Sequence, residues 1–69
     1  MGEGSAGVAL GRTARVKDVQ GAIGCAAYAA YLAGVSVDVW GPDSLGYVVT
    51  RTDAPVTRED MKLVTRVSA

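Results

Sequence analysis

Val19–Gly34, VQGAIGCAAYAAYLAG, contains no charged residue and is the longest run in the chain with a helical reading. Asp18 stands just before it as a good N-cap, because a short carboxylate can accept from the free backbone amides of a first turn. Gly34 can close it, since glycine adopts the left-handed conformation without a Cβ penalty. Val19, Ile23, Ala26, Ala30 and Ala33 share one stripe at helical spacing, and Gly21, Cys25, Tyr28 and Leu32 form a second stripe on the opposite side. A helix that is apolar on both sides is normally buried on both. In 69 residues one sheet covers only one side, so a second helix or a partner must cover the other. Gly21 and Gly24 each cost the helix about 1 kcal/mol relative to alanine, which suggests close packing there. A membrane-spanning reading of Val19–Val37 is weakened by Gln20, by the weakly hydrophobic Gly and Ala content, and by the absence of bases near Asp38.

C-terminal to this helix, Val35–Trp40 alternates and is rich in β-branched residues. Gly41-Pro42-Asp43-Ser44 reads as a turn, and Leu45–Thr52 returns as the second strand of an antiparallel hairpin. The loop has four residues, or six with Gly46 in a bulge. Either way Val35, Val37, Val39, Val48 and Thr50 face one side, and Ser36, Asp38, Trp40, Leu45, Tyr47, Val49 and Arg51 face the other. We assign the valine side to the helix, which leaves Trp40, Tyr47 and Val49 outside. After the breaker Asp53-Ala54-Pro55, Thr57 caps a second helix that Val56 staples onto Met61 and that continues through Leu63, Val64 and Val67. A strand over Leu63–Val67 is the alternative, because Val64, Thr65 and Val67 favour it.

Toward the N-terminus, Val8–Val16 alternates as a first strand, with Arg12 interrupting its apolar row. Residues 1–6 are small, polar and Gly-rich, and are expected to be mobile. The expected fold is therefore α+β, in the order β-α-β-β-α. A small sheet of about three strands carries a central apolar helix on one face, with a short C-terminal helix, and residues 7–69 form a single domain. If the first two strands are adjacent, they are parallel, with the helix as a right-handed crossover.

Composition narrows the chemistry. Seven acids balance seven bases, so no overall charge points to nucleic acid or to a basic partner. Arg12, Arg15 and Lys17 form a short basic cluster, whereas Asp18, Asp38 and Asp43 are the only charges from Asp18 to Thr50. There is no histidine, which removes the commonest general base and the usual triads. The single cysteine, Cys25, excludes an internal disulfide and reads as a small buried residue. Adjacent Glu59 and Asp60 suit a helix first turn for dipole reasons alone. GEGSAG near the N-terminus precedes a strand instead of following one, so it lacks the context of a dinucleotide loop. No signal-peptide pattern follows Met1. The expectation is a cytoplasmic, non-enzymatic protein-binding module with no cofactor, no metal and no membrane association.

Its partner would be a larger protein or protein–nucleic-acid complex. Size and lack of histidine suggest, as an example, a phage-encoded inhibitor of host defence of the anti-CRISPR type. Such a chain would mask a nucleic-acid-binding surface with Asp18, Asp38 and Asp43, using Trp40 and Tyr47 as anchors. One alternative is a nucleic-acid-binding module built on Arg12, Arg15, Lys17 and the Trp40/Tyr47 face. Another is a structural subunit of a homo-oligomer, a homodimer for instance, formed through the uncovered helix stripe.

Overall fold

The computed structural model describes residues 2–54 and 61–69. It is α+β: helix α1 (Gly2–Ala9), strand β1 (Ala14–Val16), helix α2 (Val19–Ala33), then strands β2 (Val37–Asp43), β3 (Gly46–Arg51) and β4 (Leu63–Val67). The sheet has four strands in the order β1-β3-β2-β4, and all its pairings are antiparallel. β1 therefore pairs with β3, and it is not the parallel neighbour of β2. Both helices lie against the same side of this sheet.

The central helix forms where its end signals place it. Asp18 accepts from the Gly21 amide at 3.2 Å, satisfying one of the free donors of the first turn. Gly34 closes the helix at φ 71°, and its amide reaches the Ala30 carbonyl at 2.8 Å. Ala22, Ala26, Ala29 and Ala30 are buried and pack with Val8, Val37, Val39 and Val49 in one core. Alanine and valine leave few rotamers to freeze, and short alanine side chains let helix and sheet approach closely.

Three expectations are corrected. Residues 2–9, read as a mobile leader and the start of a strand, form α1, and β1 is confined to Ala14–Val16. The end of α1 explains this. The Arg12 amide bonds to the Gly7 carbonyl at 2.8 Å and the Gly11 amide to Val8 at 2.9 Å. This is the paired bonding of a Schellman motif, with Gly11 at φ 96°. Ser5 and Val8 are then buried against α2, so tertiary packing outweighs the poor helix propensity of glycine and serine.

The second correction concerns the C-terminus. Leu63–Val67 is the strand β4, paired with β2, where a helix was the first reading. The expected start of that helix, Val56–Asp60, lies outside the described residues. The β-branched side chains of Val64, Thr65 and Val67 suit the pleated edge of a sheet better than a helix interior.

The third correction is register. β3 is displaced by an odd number of residues from both expected pairings, by one from the six-residue loop and by three from the four-residue loop: Val39 lies opposite Val49, Asp38 opposite Thr50 and Trp40 opposite Val48. Asp43 then pairs with Gly46 across a two-residue turn. Between these pairs β2 carries Gly41 and Pro42 where β3 has only Tyr47, which is the two-against-one count of a β-bulge. An odd displacement exchanges the two faces of β3. Val49 and Tyr47 join the helix side, and Val48 and Thr50 move to the outer side.

Candidate interaction surfaces

The outer face of the sheet carries a cluster of paired polar side chains. Asp38 is only 3% exposed on β2, where a carboxylate without partners would be costly. Arg66, opposite it on β4, donates from Nε to Asp38 Oδ1 at 2.7 Å and from Nη2 to Oδ2 at 3.4 Å. Thr52 Oγ1 donates to Asp38 Oδ1 at 2.9 Å. This hydrogen bonding raises the Arg66 pKa above its ordinary value. Beside this cluster Trp40 is half-buried, and its indole N–H donates to Thr50 Oγ1 at 3.0 Å.

Asp43 is held at the hairpin. Its Oδ1 accepts from the Leu45 amide at 2.9 Å and from Arg15 Nη1 at 2.7 Å. The backbone bond within the turn, followed by the Arg15 guanidinium, keeps its carboxyl pKa below the usual range. Arg51 forms a two-bond pair with Asp53 at 2.9 and 2.8 Å, and its Nη1 donates to the Ala9 carbonyl at 2.8 Å. The guanidinium thus lies at the negative end of α1, where the helix dipole favours a cation.

The residues expected to form one patch are dispersed. Asp38 and Trp40 share the outer face. Tyr47 is on the helix side, partly buried against the core. Asp18 caps α2, and Asp43 braces the hairpin to β1. Trp40 and Tyr47 do not form a common stacking platform, because they lie on opposite faces of the sheet.

An apolar surface without internal partners lies on α2. Four exposed large apolar side chains, Ile23 (40%), Tyr28 (48%), Tyr31 (79%) and Leu32 (46%), belong to this helix, whereas Leu10, Leu45, Leu63 and Val64, the others among the described residues, are divided between the end of α1, the hairpin turn and β4. Tyr28 and Tyr31 stack with ring centroids 6.4 Å apart and planes at 17°, as neighbours three residues apart on a helix can. α1 covers part of the second stripe: the Ser5 hydroxyl donates to the Cys25 carbonyl at 3.2 Å. It does not reach Tyr31 or Leu32, which remain exposed. Tyr31 fell outside both stripes read from the sequence. The signal that finds it is the absence of charge from Val19 to Gly34, because an ordinary amphipathic helix carries charges on its solvent side.

A groove of about 660 Å³ adjoins this face, bounded by α1, β1 and the first half of α2. Its α2 wall includes Gly21, Gly24, Cys25 and Tyr28. Among the described residues no cluster of three or more metal-ligating side chains occurs, and no helix is long and apolar enough to cross a membrane.

What the fold and these surfaces define is a small α+β domain with a two-helix layer and an uncharged, solvent-facing helix side. Compared with known protein families, curated proteins and solved structures, the chain matches none.

Proposed function

We propose that this chain is a non-enzymatic protein-binding module whose contact surface is the outer face of α2, centred on Tyr31 with Tyr28 and Leu32. One observation carries the proposal: a fifteen-residue helix without a charged side chain has one side on the core and its other side in water. Contiguous exposed apolar surface of this kind marks an interaction site. Tyrosine suits the role because it offers a large rigid contact with a polar tip at little entropic cost.

Within this class, the inhibitor reading needs carboxylates free to meet the basic groups of a nucleic-acid-binding surface. Asp38 is committed to Arg66 and Asp43 to Arg15. The proposal therefore rests on the apolar face of α2, and inhibition of a host-defence complex would be exercised through that face. The nucleic-acid alternative loses its paired aromatic platform, since Trp40 and Tyr47 are on opposite sides.

Quantitative affinity capture from the source cells, with wild-type and Tyr31→Glu baits, tests the reading. The expected outcome is a protein enriched on the wild type and reduced at least tenfold on Tyr31→Glu, with equal thermal midpoints for the two baits. Identical captured sets would remove α2 as the contact surface.

A further inference from the structure

The groove beside β1 gives this reading a partner chemistry. β1 is an edge strand, so one side of the Ala14–Val16 backbone has no strand partner among the described residues. That edge borders the groove, whose lining includes Ala14, Arg15 and Val16. Gly24 faces it with no atom within 4 Å of where a Cβ would stand. The groove also includes Tyr28, which stacks on Tyr31, so it is continuous with the exposed face of α2.

We propose that the β1 edge takes up an extended segment of the partner protein, apolar in its centre and acidic at its ends, as an added strand of the sheet. Main-chain hydrogen bonds to β1 hold the segment, and every second side chain enters the groove beside Gly21 and Gly24. The charge preference comes from the flanks of β1. Arg12 and Lys17 stand on either side of the strand and form no ion pair among the described residues, whereas Arg15 is neutralised by Asp43.

This inference rests on the protein-binding reading, and its test separates the two. The probe is a fluorescein-labelled ten-residue peptide with a threonine–valine alternation between paired glutamates, titrated with the full chain and followed by anisotropy. Saturable binding is expected, with amide protection of Ala14–Val16 on hydrogen exchange. Gly24→Leu, which fills the groove from a position with room for a Cβ, should weaken binding at least tenfold without lowering the thermal midpoint. Arg12→Glu with Lys17→Glu should weaken it similarly, as should lysines in place of the peptide's glutamates. Absence of saturable binding, indifference to Gly24→Leu, or tighter binding of a single-stranded oligonucleotide would overturn the inference. If the peptide fails while Tyr31→Glu still abolishes partner capture, the inference falls and the α2 surface stands.

Discussion

Asp38 and Asp43 show why a charge in this chain need not be a recognition element. Both stood out in the sequence because few other charges lie between Asp18 and Thr50. Their partners were not legible there: Arg66 and Arg15 are each 28 residues away, and only the sheet order brings them close. Asp18 and Gly34 were legible, because capping depends on residues within one turn.

The pairing of Asp43 and Asp53 has a consequence for acid stability. The Leu45 amide and then Arg15 lower the Asp43 pKa, and the hydrogen bonds from Arg51 lower that of Asp53. In the acidic range the unfolded chain therefore binds more protons than the folded one, and stability falls as pH falls. The stabilisation is fully present above the ordinary carboxylate range and is lost as pH drops through the lowered values. With no histidine in the chain, the thermal midpoint should be flat between about pH 5 and 8 and should fall below about pH 4. Asp43→Asn should shrink the acid limb. A midpoint that rises on acidification, or a step near neutrality, would contradict this assignment.

At the scale of elements, the glycines differ by what surrounds them. Gly46 has φ 112°, and a Cβ there would lie 2.6 Å from the Val16 carbonyl oxygen and 2.8 Å from the Lys17 Cα. Both neighbours are backbone, so neither can swing away. Gly46→Ala should destabilise the protein by at least about 2 kcal/mol, through strain and displacement of β1. Gly24 lies within α2 facing open space, so Gly24→Ala should stabilise by about 0.5–1 kcal/mol through helix propensity alone. Chemical denaturation of the two variants checks the pair, and equal shifts would show that β1 does not lie against the hairpin as described.

The elements were unevenly legible for related reasons. α2 and the hairpin announced themselves through caps and β-branched alternation. α1 did not, because GEGSAGVA has low helix propensity, yet Gly11 after Val8-Ala9-Leu10 carried the helix-end signal that the strand reading passed over. Leu63–Val67 satisfied two patterns, and its pairing with β2 decided between them.

At the scale of the molecule, the register of β3 decides which residues are core and which are surface. The sequence supports two registers almost equally, because Val48 and Val49 are adjacent valines and either can face the helix. The bulge at Gly41–Pro42 selects between them; a six-residue loop over Gly41–Gly46 would instead have set Val39 opposite Val48. The choice reaches function: it packs Tyr47 partly buried against the core, separates it from Trp40, and leaves the proposed contact to the exposed face of α2. A nuclear Overhauser spectrum of isotopically labelled protein reads this register directly. The expected result is cross-strand contacts pairing Val39 with Val49, Asp38 with Thr50 and Ala14 with Val49. Contacts pairing Val39 with Val48 would contradict it, returning Val48 and Thr50 to the helix side and setting Tyr47 beside Trp40 on the outer face.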